Sequence, residues 1–303
     1  MQQEQNFRMG VTTTLSSYFI WGFLPLYWAL LSFIPALDVL MYRISFAFFF
    51  MVLLLFFARR KAQYISEIKT VFTQSKLLMQ MIFAAIFISL NWFLFIFAVS
   101  SNMVLEASLA YYINPLLNVV LATVIIKETL SRAEIFAVSA AGIGVLILIV
   151  FNGTIPWAAF GMALSFCFYG FIKRSVSISA TAGLFIETAL VTPIALLYLL
   201  FFTTYSVFSM DNSTILLLSG AGIFTAVPLI LFSFGAKHIP FSLVGFFQYI
   251  APTTMLFLGI FIFKEPFSLV QFIAFFFIWT GLLTFTSSKI LNRRKGKEPL
   301  THE

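Results

Sequence analysis

The chain has 303 residues, 61% of them hydrophobic and only 10% charged, with 41 phenylalanines and a formal net charge of +7. That balance excludes an ordinary soluble domain and describes a polytopic membrane protein. A single cysteine, Cys167, excludes an internal disulfide, and the two histidines, His238 and His302, supply no metal cluster of the usual kind.

A bilayer core takes about 20 apolar residues per helical span. Glycine, proline and charge clusters divide the chain into ten such runs, predicted at 9–30, 39–58, 77–98, 104–126, 132–151, 157–172, 180–203, 214–235, 242–263 and 267–288. The first run is long and aromatic, and no small-residue cleavage site follows it, so it is read as a span rather than a signal peptide. The longest hydrophilic loop is 59–76. No GxxxxGK(S/T) motif occurs, and Gly142-Ile-Gly144 lacks the continuation of a dinucleotide fingerprint. No HExxH, aspartate pair or Ser/His set is visible either, so neither an enzyme nor a cofactor is expected.

Short basic loops stay cytoplasmic. With the N-terminus inside, sixteen of the 18 basic residues fall on one side, Lys264 falls opposite and Arg43 lies within a span. Both termini are therefore expected to be cytoplasmic, in a cell (inner or plasma) membrane. The excess positive charge is accounted for by topology, and no nucleic-acid partner is needed. The bilayer and a small-molecule substrate are the expected partners.

The segment "YYINPLLNVVLATVIIKE" (Tyr111 to Glu128) has a counterpart in "QYIAPTTMLFLGIFIFKE" (Gln248 to Glu265). An offset of 137 aligns residues 94–144 with 231–281 without a gap, and thirteen of 51 positions agree, among them Pro115/Pro252, Lys127/Lys264, Glu128/Glu265 and Gly144/Gly281. "SYFIWGF" (Ser17 to Phe23) similarly matches "SFCFYGF" (Ser165 to Phe171). Each half then holds five spans, and an odd number inverts the second half. The expected fold class is an all-α integral membrane protein of ten transmembrane helices in two inverted five-helix repeats, 9–151 and 157–288, followed by a basic cytoplasmic tail, 289–303. Lys264 lies on the other side because its repeat is upside down.

Ser131-x-x-Glu134 and Ser268-x-x-Gln271 read as capping boxes, which makes each Lys-Glu pair the mark of a tight surface turn. A gate or coupling role is the alternative. Pro115 and Pro252, placed mid-span, predict kinks that free the carbonyls of Tyr111 and Gln248.

"YFIWGFLPLYW", "NWFLFIFAV", "LEASLAYYINPLLN", "FCFYGFIKR" and "GFFQYIAPT" together resemble the RarD branch of the EamA family, in the drug/metabolite transporter superfamily. The resemblance covers nearly the whole chain. It implies an inner-membrane transporter of two EamA repeats working by alternating access, with relatives that export amino acids and other metabolites.

Charges inside a bilayer are costly and by default mark function. Arg43 is expected about 6 Å from the outer face and Glu187 about 10 Å from the inner face, at equivalent repeat positions, as an outer and an inner gate charge would be. Snorkelling is the alternative for Arg43. For Glu106, near the start of span 4, the alternative is simple favour for an anion at a helix N-terminus. Asn91, Trp92, Asn114, Asn118 and Gln248 add hydrogen-bonding groups, and Tyr18, Trp21, Tyr111, Tyr112, Tyr169 and Tyr249 are candidate cavity walls. Trp28 and Trp157 read as interfacial belt residues. The function expected is secondary-active export of small metabolites, amino acids being one candidate class, or of drug-like compounds, by alternating access, with proton coupling as a candidate drive. A non-transporting sensor or scaffold is the rival.

Overall fold

A computed structural model describes residues 2–121, 123–124, 130–236, 238–239, 243–244 and 247–294. Among these residues the chain is helical, with no strand. In chain order the helices are α1 (Gln2–Ala29), α2 (Ala36–Phe57), α3 (Lys61–Thr73), α4 (Ser75–Ser100), α5 (Val104–Leu121), α6 (Arg132–Asn152), α7 (Trp157–Arg174), α8 (Ala180–Phe201), α9 (Asn212–Gly235), α10 (Ile250–Phe257) and α11 (Leu269–Arg294). Six of them, α2, α4, α6, α8, α9 and α11, are long and apolar enough to cross a membrane, and Trp157–Lys173 and Ile250–Ile262 form shorter apolar helices.

The ends of these helices follow from local chemistry. Both predicted capping boxes form: the Ser131 backbone N–H donates to Glu134 at 2.8 Å and the Glu134 N–H returns to Ser131 Oγ at 3.3 Å. Ser268 and Gln271 repeat the exchange at 2.6 and 3.2 Å. The α6 helix stops at Gly153, whose φ of 67° suits a residue without Cβ. Asp211 caps α9, its carboxylate accepting from the Thr214 N–H at 3.1 Å and the Thr214 hydroxyl at 2.6 Å.

Three sequence expectations change. The hydrophilic stretch 59–76 contains the helix α3, whose buried Val71 packs with Met81, Val176 and Ile186; its alternation of apolar and charged residues is short enough to pass for a loop. The run expected as one helix over 242–263 is interrupted by a turn at Gln248 and Tyr249, so Pro252 lies in the first turn of α10 instead of kinking a helix midway. A proline costs nothing there, because first-turn N–H groups have no intrahelical partner. Pro115, by contrast, does lie inside α5. Beyond α10 the chain widens into a π-turn at Leu258–Ile262, closed by Phe263 N–H on the Leu258 carbonyl at 2.9 Å, and Lys264 takes a left-handed φ of 53°. Lys127 and Glu128 lie outside the described residues.

Helices pair by close approach of small residues, as expected where lipid removes the hydrophobic drive for association. The α6 helix packs on α11, α4 on α7, α1 on α9 and α10, α5 on α7 and α10, and α2 on α8 and α9. A Cβ at Gly144 would lie 2.5 Å from the Ala274 carbonyl oxygen, and one at Gly281 would lie 2.6 Å from that of Ala137. Large side chains meanwhile face outward: Phe57 is 77% exposed and Phe201 is 74% exposed. In water such a surface would aggregate. Surrounded by acyl chains it is solvated, and the helices satisfy their own backbone groups.

Candidate functional site

The α2 helix carries Arg43 into the interior, where it is only 4% exposed. Its guanidinium carbon lies 4.8 Å from the Trp28 ring centroid and 4.3 Å from that of Trp92, so two indoles from α1 and α4 flank the cation. Such contacts contribute about 2 kcal/mol each when desolvated. Arg43 Nε donates to Thr225 Oγ1 of α9 at 3.0 Å, and the Thr225 hydroxyl hydrogen goes to the Ala221 carbonyl at 2.8 Å. The phenols of Tyr111 and Tyr27 are the ionisable side chains that feel the Arg43 charge. Tyr27 is held in place by donating its hydroxyl hydrogen to the Leu217 carbonyl.

Among the described residues two donors in this box have no hydrogen-bond partner: Arg43 Nη1 and Trp28 Nε1, both buried. Leaving a buried donor unmet costs about 1–3 kcal/mol, and more for a charged group. Snorkelling is thereby overturned for Arg43, since the side chain turns into the bundle. Trp28 is no belt residue either: at 1% exposure it shares a core cluster with Leu31 and Ile34 of the following turn, which are equally buried.

Glu187 has the same rank in α8 as Arg43 in α2, the eighth residue of a 22-residue helix. It is 2% exposed and pairs with Lys173 Nζ of α7 at 2.8 Å, while the Tyr169 hydroxyl lies 3.3 Å from both of its oxygens. Gly183, one turn before Glu187, leaves room for the lysine: a Cβ there would press on Lys173 Nζ. Trp92 also packs on the cluster of Met51, Leu184 and Ala226, so the Arg43 box and the helix bearing Glu187 share a neighbour.

The other predicted residues divide. Asn91 Nδ2 donates to the Met162 carbonyl at 2.8 Å, and Asn114 Oδ1 accepts from the Cys167 thiol at 2.9 Å; both tie a helix to α7. The Tyr112 hydroxyl meets Thr253 Oγ1 at 2.7 Å, Tyr249 lies 3.4 Å from Thr286, Gln248 is half-buried beside it, and Asn118 is exposed. Ser108 Oγ donates to the Pro252 carbonyl at 2.8 Å. Glu106 lies against the N–H groups of Ala158 and Ala159 at the start of α7, its Oε2 without a partner among the described residues. Glu265 caps α5, accepting from Val104 and Leu105 at 2.5 and 2.9 Å. Burial holds Glu265 above the usual carboxylate value, although those two N–H groups pull it down and the neighbouring Glu106 charge adds to the rise. Glu265 thus caps a helix of another part of the bundle and Glu106 faces the start of one, roles that sequence spacing could not display.

Sequence reasoning missed Trp28 and Thr225, and also Lys173, which was counted only as a basic loop residue. It missed Asp38 as well. That residue is 1% exposed and joins α2 to the far end of α8 by accepting from Tyr198 at 2.8 Å and Thr203 at 2.7 Å. The one available signal was the i, i+4 spacing of Tyr169 and Lys173 on α7.

An apolar-faced helical bundle with a flanked, incompletely satisfied cation in its interior defines an integral membrane protein with a polar centre. The comparisons with known proteins supply the family. Residues 8–150 match the EamA-like transporter family. The chain is 43% identical over 296 residues to the uncharacterized transporter YojE of Bacillus subtilis, covering 97% of this chain and 99% of that protein. It is 38% identical over 291 residues to the protein RarD of Escherichia coli, covering 95% and 97%. A crystal structure shares the fold with a TM-score of 0.54 at 20% identity, covering 92% of this chain and 97% of its own. The chain belongs to the EamA-like transporter family as a RarD-type member, and is a membrane transporter.

Proposed function

We propose that this protein is a secondary-active exporter of small metabolites, built of ten transmembrane helices in two inverted five-helix repeats and working by alternating access. The observation that carries this reading is the exchange pattern of the helix contacts. With α1, α2, α4, α5 and α6 as one repeat and α7, α8, α9, α10 and α11 as the other, most contacts recur with partners swapped. The α1 helix packs on α9 and α7 packs on α4; α1 packs on α10 and α7 on α5; α2 packs on α9 and α8 on α4. Three pairs, α2 with α8, α5 with α10 and α6 with α11, join equivalent helices. The reciprocal Gly144/Ala274 and Gly281/Ala137 contacts have the same symmetry at atomic scale.

Such an arrangement supplies two similar states that differ in which half is closed, which is what alternating access needs. Both termini are cytoplasmic in this reading, in the plasma membrane, with 9–151 and 157–288 as the repeats and 289–303 as the tail. Arg43, with Trp92 and Tyr111, faces the substrate pathway. Glu187 is the inner gate charge, and proton coupling acts through it, with Lys173 as its partner in the closed arrangement. Pro115 shapes the α5 wall of the pathway.

Purified protein in liposomes, assayed for flux of a metabolite panel with and without a proton gradient, tests this. Flux that is saturable, protein-dependent and stimulated by the gradient is expected. Absence of flux for every compound and every gradient would overturn it.

A further inference from the structure

The box around Arg43 also indicates what it would hold. We propose that Arg43, Trp28 and Trp92 form a receptor for a monovalent organic carboxylate with a flat or apolar body and no α-ammonium group. This rests on the transport reading only for its purpose, since the receptor exists or fails as a binding site.

The donors come first. Among the described residues Arg43 Nη1 and Trp28 Nε1 are both buried and unmet, and the guanidinium carbon lies 4.8 Å from the centroid of that indole ring. A carboxylate offers two acceptor oxygens and one negative charge, and the planar guanidinium fork is the side chain best matched to it. A neutral amide or hydroxyl would satisfy a donor but leave the buried cation without a counter-charge. A dianion would leave one negative charge uncompensated in a low-dielectric interior.

The absence of a zwitterion follows from the acidic residues. Among the described residues Arg43 has no ion pair, and the carboxylates of the bundle are engaged elsewhere: Glu187 by Lys173, Asp38 by Tyr198 and Thr203, Glu265 by Val104 and Leu105. Glu106 keeps an unmet oxygen, Oε2, but it sits beside Glu265 at the mouth of α5. Five residues separate it from Tyr111, about 7.5 Å along the helix. An α-ammonium bound beside Arg43 would meet a guanidinium that no carboxylate pairs with among the described residues. The body of the ligand, flanked by Trp28, Trp92, Tyr27 and Tyr111, is best apolar or aromatic.

The test compares two molecules that differ only in that ammonium, 3-phenylpropanoate and phenylalanine. Purified full-length protein in nanodiscs is titrated with each, and with 3-phenylpropanamide, by tryptophan fluorescence and thermal shift. The acid is expected to quench fluorescence and raise the thermal midpoint, with phenylalanine and the amide at least about tenfold weaker. Arg43→Gln should remove acid binding, Arg43→Lys should weaken it, and the exposed-site control Lys69→Gln should leave it unchanged. Should Arg43→Gln fail to accumulate, the acid-to-amide ratio in unaltered protein carries the test alone. Phenylalanine binding as tightly as the acid, equal binding of acid and amide, or no acid binding up to about 10 mM would each overturn the receptor. Acid binding with no flux of any compound under any gradient in liposomes would retain the receptor and overturn the exporter reading. Flux of other metabolites without acid binding would do the reverse.

Discussion

The Lys173–Glu187 pair shows at the scale of single residues how a buried charge is tolerated. Glu187 is almost fully enclosed, whereas the Lys173 side chain is 21% exposed, so the pair is anchored at one end and wetted at the other. Removing one partner from a fully buried pair costs about 3–5 kcal/mol; partial exposure of the lysine reduces this to about 2 kcal/mol. Lys173→Met is therefore expected to lower the thermal midpoint, and Lys173→Met with Glu187→Gln to recover most of the loss. Gradient-driven flux should be lost in Glu187→Gln and stay lost in the double variant. Recovery of flux along with stability would show that the pair only holds α7 to α8. Arg43→Lys belongs at this scale too: it keeps a positive charge but loses the flat face that fits between two indoles and the Nε donor to Thr225. It should lower flux about tenfold or more while changing protein yield little.

Among the elements, the crossing of α6 and α11 makes the sharpest demand. Gly144→Ala and Gly281→Ala each push a methyl group into a backbone carbonyl that cannot swing away, and each is expected to destabilise by about 1–3 kcal/mol. Gly142→Ala, with nothing within 4 Å, should be neutral or slightly stabilising. Equal losses in the two tight variants, read by thermal unfolding in detergent, would bear out the reciprocal contact. The start of α9 gives a pH prediction. Hydrogen bonds from Ser213 and Thr214 hold the Asp211 carboxyl well below its usual value. A depressed folded value contributes stability that is present above the unfolded value and lost as pH falls below about 4. Asp211→Asn keeps a capping oxygen but cannot titrate, so its thermal midpoint should fall less than that of the unaltered protein between about pH 6 and pH 3.

On the scale of the whole molecule, topology is the claim most open to a direct experiment. Single cysteines near Asn152 and Asn212, in a Cys167→Ala background, should react with impermeant thiol reagents from outside sealed cells. Cysteines at Gln63 or in the basic tail should react only after permeabilisation. Labelling at Gln63 from outside would reverse the orientation and with it the assignment of Arg43 to the outer and Glu187 to the inner gate.

The helical membrane class was legible in the sequence because bilayer insertion depends on local quantities: the length of an apolar run, the basic residues between runs, and a proline or capping serine at a boundary. The capping boxes at Ser131 and Ser268 closed as their spacing predicts for the same reason, each motif containing all of its own partners. Family membership was legible in linear motifs such as "LEASLAYYINPLLN". The tertiary structure alone decided which charges meet. Lys173 is separated from Glu187 by a turn and reaches it across the space beside Gly183. Glu265 caps α5 from more than 150 residues away in the chain, as its contacts with Val104 and Leu105 show. Trp28 looked interfacial by its place near the end of an apolar run and became a wall of the Arg43 box, buried in one cluster with Leu31 and Ile34 of the following turn. In a chain so uniformly apolar, hydrophobicity says which segments are helices but not which faces meet; that is fixed by the few positions where small residues let backbones touch and where buried polar groups find partners.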